Sequence, residues 1–245
     1  MTTPDRNQTV DYHRIRQFYD SVYYRELDEL PAVPRHLQRL AKKLRPWTGQ
    51  RLLDVACGTG EWLRAAAALG ALPAGVDISQ RAVELCRRAL LGADVHCSPA
   101  EVLPFKDAEF DFVSCLGALE HFLDPSAALR EMVRVAKPNA VFLLLVPNSG
   151  FLPRRLGIYS GTHQTEVKEE VGSLEEWQQF FAVSGLKILY RWRDLHVLSA
   201  PWIMRGPWYG WPLRAAQAFA LPLWPVTWQY QVYHLCVIRK DPLAA

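Results

Sequence analysis

The sequence predicts a doubly wound α/β fold, on three observations. Apolar runs of strand length alternate with helical stretches over roughly the first 150 residues. The first of these runs passes straight into a Gly-x-Gly turn, Gly58-Thr59-Gly60, that opens a helix. A later run, Val141–Val146, is apolar without interruption, as a strand buried on both faces of a parallel sheet must be.

In chain order, Val10 to Leu44 reads as mostly helical, broken at Pro31 and Pro34, because proline removes a donor and biases its predecessor toward extended backbone. Arg51–Val55 is the first strand and Glu61–Leu69 the helix after the glycine turn. Leu72–Val76 is the second strand. Ser79 is suited to cap the next helix, which ends near Gly92. Val95–Cys97 and Phe110–Cys115 are the third and fourth strands. Asp124 caps a further helix with Pro125 at its first position, where the missing N–H costs nothing. Val141–Val146 is the fifth strand, and beyond it the pattern is less regular. Phe151–Glu170 reads as a loop or short helices. Ser173 caps a helix to about Ser184, ended by Gly185. Leu186–Trp192 is a strand, and Tyr230–Arg239 is the last.

At 245 residues the chain is long enough for one embellished domain, and such a chain buries roughly 70–75% of its unfolded surface. Apolar residues make up 50% and charged residues 22%, which is ordinary globular composition. A net charge of +3 with no basic stripe argues against nucleic acid as a partner. The five cysteines, Cys57, Cys86, Cys97, Cys115 and Cys236, form no C-x-x-C pair. Neither a disulfide framework nor a zinc site is indicated, no metal is expected, and reduced thiols suit a cytoplasmic protein. The polar stretch Met1–Val10 has no signal core, and no apolar run is long enough to span a bilayer. Tryptophan and proline are concentrated between Ser199 and Gln229, which marks that segment as distinct.

Two motifs carry chemistry. Glycines at Gly58 and Gly60 let a ligand approach the backbone closely, and the helix opening there presents free N–H donors. A dinucleotide site would need a third glycine, but Leu63 holds that place. Asp54, at the strand end beside the turn, would repel a pyrophosphate and suits an ammonium group. Asp77, about 20 residues past the turn, is placed to accept both hydroxyls of a ribose. The alternative for Asp77 is a share in capping the helix at Ser79.

With these motifs in place, the chain resembles the class I S-adenosylmethionine (SAM)-dependent methyltransferases of the small-molecule kind, which include the ubiquinone and menaquinone methylases. The resemblance runs from about Leu52 to Asn148. It adds Ala100-Glu101-Val102-Leu103-Pro104-Phe105, Phe110-Asp111-Phe112-Val113, Leu119-Glu120-His121, Asp124-Pro125, Arg134-Val135-Ala136-Lys137-Pro138 and Pro147-Asn148. It implies a Rossmann-like, seven-stranded, mostly parallel sheet with the last strand antiparallel. It also implies a cofactor site built from Asp54, Ala56, Gly58, Gly60, Asp77, Ile78, Ala100, Glu101, Cys115 and Tyr19, with S-adenosylhomocysteine as product. One methyltransferase domain then spans 1–245: a helical cap (1–48), a SAM-binding core (49–150) and a C-terminal part (151–245) with a substrate-side insertion (199–228). Two departures stand out. Pro99 occupies the place where relatives often carry an acid for the adenine amino group, so the Ala100 N–H, with Ser98, is expected to take over. Asn139-Ala140 replaces a Gly-Gly turn, and Asn tolerates left-handed backbone.

On the acceptor side, His163 lies past the fifth strand, at the sheet edge where ligands bind, and His121 follows the fourth strand. Each is a candidate base, against the readings of a solvated loop histidine and a structural one. Tyr19, Tyr23 and Tyr24 are placed to form a lid or to pack on the sheet. Ser199–Trp228 is a lid over an apolar acceptor, a homodimer or core-packing segment, or a patch for peripheral membrane contact. The resulting expectation is methyl transfer to a small apolar or aromatic acceptor. The rivals are a non-catalytic SAM-binding interaction module and a nucleic-acid methyltransferase. Ser114-Cys115-Leu116-Gly117 stands where a base aminomethylase would carry its Asn-Pro-Pro-Tyr-type motif.

Overall fold

The computed structural model describes residues 6–25, 30–44, 47–155, 157, 171–196, 200–204 and 206–239. Its centre is a seven-stranded sheet: β1 Arg51–Val55, β2 Leu72–Asp77, β3 Asp94–Cys97, β4 Phe110–Leu116, β5 Ala136–Pro147, β6 Leu186–Arg193 and β7 Gln231–Ile238. The spatial order is β3-β2-β1-β4-β5-β7-β6. Strands β1 to β5 pair in parallel, and β7 runs antiparallel to both β5 and β6. Consequently β6 points the same way as β1–β5, and its C-terminal end lies on the same edge of the sheet.

Alternation along the strands sorts the core into two layers. Leu53, Val55, Val113, Cys115, Phe142 and Leu144 face helices α5 (Pro125–Val135) and α7 (Leu174–Val183), where Leu129, Met132, Trp177 and Phe181 meet them. Leu52, Phe112, Leu143 and Leu145 face the opposite layer. There α2 (Arg35–Leu44), α3 (Glu61–Ala67) and α4 (Gln80–Ala89) contribute Leu40, Leu63, Ala66, Val83 and Cys86. The strand order reverses between β1 and β4, which opens a crevice at their C-terminal ends.

The start and stop signals act as expected. Ser79 accepts from Ala82 N at 3.0 Å, Asp124 accepts from Ala127 N at 2.9 Å, and Ser173 with Glu176 closes a capping box. The N-terminal region comprises α1 (Arg6–Phe18), a π-helical turn (Tyr19–Tyr23) and α2, which starts directly after Pro34. Most boundaries shift by one or two residues, and one shifts further. The fifth strand begins at Ala136 rather than Val141, because Ala136 pairs with Phe110 and the chain then bulges before Val141 pairs with Phe112. The Asn139-Ala140 position is part of this strand, and Asn139 is not left-handed; Ala56 and Ala108 are the non-glycine residues with positive φ among those described.

After the fifth strand come α6 (Leu152–Arg155), then, beyond β6, α8 (Ala200–Ile203) and α9 (Trp211–Ala220). Asn148 Nδ2 donates to Thr227 O and Gln229 O at 2.9 and 3.0 Å, and the Arg193 guanidinium binds Pro222 O and Trp224 O. These bonds tie the end of the aromatic segment to the sheet. Its outer side chains stay in water: Trp208 is 74% exposed, Leu213 75%, Phe219 80% and Leu223 85%. Among the described residues no helix is long and apolar enough to cross a membrane.

Candidate active site

The crevice at the switch point begins with the turn out of β1. Ala56 is held at φ 61°, a conformation that costs a non-glycine residue about 1–2 kcal/mol, and Cys57 N donates to Val76 O at 2.9 Å. Gly58 and Gly60 follow with φ of 54° and 83°. A methyl group on Gly60 would lie 2.5 Å from Cys86 Sγ, so glycine is required there for α3 to pack against α4. A Cβ on Gly58 would lie 3.1 Å from the Tyr24 hydroxyl, which closes over the turn from the N-terminal segment.

Asp77, at the end of β2, accepts from Gly58 N through Oδ2 (2.8 Å) and from Ser79 N through Oδ1 (2.9 Å). The cap of α4 is the Ser79 hydroxyl itself, so the carboxylate is not consumed as a helix cap. Ile78 N–H adds a further backbone contact, and the carboxylate still has acceptor capacity left for a ligand. Burial pushes Asp77 up to about 6, opposed by the backbone N–H donors and reinforced by nearby Asp20. Asp54 is buried more deeply. Its Oδ1 accepts from Ser114 Oγ at 2.7 Å, and that hydroxyl is in turn held by Trp62 Nε1 at 2.9 Å. Burial raises the Asp54 carboxyl well above the usual range despite the Ser114 bond, and the charges of Asp77 and Glu61 raise it further. Three acids around one turn make a strongly cation-seeking site.

Next to Asp77 a cavity is lined by Ile78, Ser98, Pro99, Ala100 and Glu101 on one side and by Leu116, Gly117, Ala118 and His121 on the other. Helix α1 and the turn after it form its roof through Tyr12, Ile15, Tyr19 and Tyr24. The roof is pinned: Arg16 Nε donates to Ile78 O at 3.1 Å, and Asp20 Oδ1 accepts from Ser79 Oγ at 2.5 Å and Arg81 N at 3.2 Å. Glu101 accepts from Asp124 N at 3.1 Å, and burial together with Glu101 raises the pKa of the Tyr12 phenol. Ser98 Oγ donates to Val102 O at 2.6 Å, steadying its own loop. The loop is clamped from behind. Arg134 donates to Leu103 O (3.0 Å) and Phe105 O (2.9 Å), while Glu131, paired with Arg134 at 2.7 Å, accepts from Leu103 N at 2.9 Å.

A second cavity shares Ala56 and Leu116 with the first and continues along the sheet edge. Pro34 and Leu37, Trp62, Leu145 and Tyr233 supply its apolar wall; Asp54, Gly58, Glu61, His36, Asp194, His196 and Gln231 supply polar groups. Asp194 and His196 are joined, His196 Nδ1 to Asp194 Oδ2, at 2.5 Å.

Most of the residues expected from the sequence therefore converge. Ala56, Asp77, Ile78, Ala100, Glu101, Tyr19 and His121 line the first cavity; Asp54, Ala56 and Gly58 line the second. Gly60 lines neither and serves packing. Cys115 does not reach the cavity: strand alternation turns its thiol, with Val113, into the core against α5, and burial raises its pKa well above the usual thiol value. The residue that lines the cavities is Leu116, one place further on. His163 lies outside the described residues. Among the described residues of Ser199–Trp228, none lines either cavity. Tyr12, Trp62, Asp194 and His196 were not legible as site residues, although Asp194-Leu195-His196 carried a usable signal: a histidine just past a strand.

These residues fit the cofactor that the resemblance implies. A buried carboxylate with spare lone pairs suits a ribose diol, and the acid cluster suits a ligand bearing a sulfonium and an ammonium rather than a pyrophosphate. Among the described residues no group of three or more His, Cys, Asp or Glu could hold a metal ion.

Comparison with known proteins agrees with this arrangement. Residues 53–144 match a family described as a methyltransferase domain. The chain is 28% identical over 179 residues to a ubiquinone biosynthesis O-methyltransferase of Alkalilimnicola ehrlichii, covering 71% of this chain and 72% of that one. It is 33% identical over 174 residues to the 27-O-demethylrifamycin SV methyltransferase of Amycolatopsis mediterranei, covering 64% and 61%. Its fold is similar to that of a chain from the complex between the Trm112 methyltransferase activator of Haloferax volcanii and a methyltransferase. There the TM-score is 0.66 at 18% identity, over 96% of this chain and 98% of that one.

Proposed function

We propose that the chain is a class I SAM-dependent methyltransferase acting on small molecules, and that its acceptor is a mainly apolar or aromatic compound held in the second cavity. The observation that carries this reading is the junction at Ala56 and Leu116, where the two cavities share a wall. A donor seated between Asp77 and Asp54 would present its reactive end at that junction. The wall beyond it is built from Trp62, Tyr233, Leu37 and Leu145 with a few polar groups, which is how small-molecule sites combine desolvation with orientation. Of the two relatives named above, one is named for ubiquinone biosynthesis and the other for 27-O-demethylrifamycin SV, and this supports a small-molecule acceptor here.

When bound, SAM supplies a methyl carbon on a sulfonium that leaves readily. The work left to the chain is positional. Asp77 holds the ribose, the acids at Asp54 and Glu61 favour the cationic end, and the roof of α1 with Tyr19 and Tyr24 keeps water out. Alignment of this kind is worth about 7–11 kcal/mol. The exposed apolar and aromatic residues of Trp208–Leu223 are assigned to peripheral membrane contact, because the chain carries no acid between Asp194 and Asp241 but has Arg205 and Arg214 there.

The test is mass spectrometry of small molecules that co-purify with the protein, followed by S-adenosylhomocysteine release with those compounds and with a panel of lipophilic phenols. Release with such an acceptor is expected. A protein that binds SAM yet never converts it would be an interaction module, and release only with RNA or DNA would refute the small-molecule reading.

A further inference from the structure

We propose that His196, held by Asp194, is the base that removes the proton from a hydroxyl group of the acceptor, so that the reaction is an O-methylation. This deepens the reading above and rests on it. The pair lies directly after β6, whose C-terminal end shares an edge with those of β1 and β4. Asp194 N donates to Gln231 O at 3.2 Å, which anchors the turn to β7. The Asp194 side chain is 7% exposed and grips its partner twice, through His196 N (3.1 Å) and His196 Nδ1 (2.5 Å). A proton on Nδ1, facing the carboxylate, leaves Nε2 with its lone pair, the form a base requires. The His196 ring, 37% exposed, belongs to the lining of the second cavity together with Tyr233 and Gln231.

The other titratable groups around this cavity are poorer bases. His36, on α2, has its ring 6.1 Å from that of His196, and burial lowers its pKa. Tyr233, on β7, is held protonated by burial and by Asp194. Asp54, on β1, and Glu61, on α3, are assigned to the cationic end of the donor, and Cys57, on the turn after β1, is held as the thiol by its bond to Cys86 and by burial. His196 differs in sign: the bond to Asp194 raises its pKa, more than burial lowers it. Of the earlier candidates, His121 lines the cofactor cavity instead.

In the step, the acceptor O–H proton passes to Nε2 while an oxygen lone pair forms the new bond to the methyl carbon. The carbon–sulfur bond breaks, its electron pair stays on sulfur, and the sulfonium becomes a neutral thioether. The imidazolium, paired with Asp194, returns its proton to solvent after the product leaves. Nothing is oxidised or reduced.

The test uses the full chain with two probes, catechol and 4-chlorothiophenol. The thiophenol ionises near neutral pH and needs no base. In cofactor-free protein, catechol should shift the His196 ring resonances, and Asp194→Asn should lower the pKa that those resonances report. With SAM present, His196→Gln and His196→Ala should lose about 10²–10⁴-fold of catechol turnover, keep thiophenol turnover within about 3-fold, and bind SAM normally. The acidic limb of catechol turnover should move to lower pH in Asp194→Asn, since a weaker base stays neutral further down. Catechol methylated equally well by wild type and His196→Gln overturns the base assignment and leaves the acceptor cavity standing. Catechol that shifts the ring resonances but is not methylated overturns the base assignment too. Catechol that leaves the resonances unmoved overturns the cavity reading and this inference with it.

Discussion

At the scale of single residues, the site depends on carboxylates kept in poor surroundings for charge. Asp77 has its pKa raised to about 6 by burial, from the ordinary 3.8. For a raised carboxyl the sign is clear. The stability it contributes is full below the unfolded value and is lost as pH rises through about 6, a cost on the order of 3 kcal/mol in the empty site. The ionised form is also the better acceptor for two ribose hydroxyls. SAM affinity should therefore fall as pH drops below about 6, and Asp77→Asn should reduce that dependence, leaving the part that belongs to Asp54. At pH 8, Asp77→Ala should weaken binding by roughly 2–4 kcal/mol, the scale of losing charged hydrogen bonds. Calorimetry at pH 5 and pH 8 reads both effects; equal wild-type affinity at the two pH values would remove Asp77 from the ribose.

Elements hold these residues in place from a distance. The loop from Ala100 to Phe105 has no regular secondary structure, yet two of its carbonyls and one N–H are taken by Arg134 and Glu131 of α5. Arg134 itself is not part of the cavity lining. Removing it should still loosen the adenine side, and Arg134→Ala is expected to weaken SAM binding by about 1–2 kcal/mol. Lysine should not restore it, since one ammonium cannot serve carbonyls and carboxylate together as a planar fork does. Hydrogen exchange should show faster exchange at Leu103 N in the same variant. Unchanged exchange and affinity would mean that the loop is held by its apolar contacts, Leu103 and Phe105, alone. The Arg134 stretch was legible in the sequence as a motif but not as a clamp, because its partners lie about thirty residues earlier.

For the molecule as a whole, Trp208, Leu213, Phe219 and Leu223 are large apolar side chains left exposed within one segment. Exposed apolar side chains in a stretch of sequence that holds no acid suit a bilayer surface carrying negative charge. Vesicles of phosphatidylcholine with about a third phosphatidylglycerol should co-sediment the protein at 0.1 M salt, and pure phosphatidylcholine should do so less well. Leu213→Ser with Phe219→Ser should reduce this capture about tenfold and leave SAM binding unchanged. A dimer in sedimentation velocity that the same double variant dissociates, without vesicle binding, would instead identify an assembly face.

What the sequence by itself determined was local and periodic: strand and helix order, the caps at Ser79, Asp124 and Ser173, and the pairing of the glycine turn with Asp54 and Asp77. Those features depend on backbone preferences and on residues near one another in the chain, so pattern suffices to read them. The tertiary structure decided what strand alternation and long-range packing control. It turned Cys115 into the core and put Leu116 in its place, laid Tyr12, Tyr19 and Tyr24 over the crevice, and left the described residues of Trp208–Leu223 outside the two cavities. Above all, the order β5-β7-β6 carried Asp194 and His196 to the same cavity as Asp54, although they lie far apart in the chain. Local preference carries no information about which strand ends meet; burial of the two apolar faces of one sheet settles it.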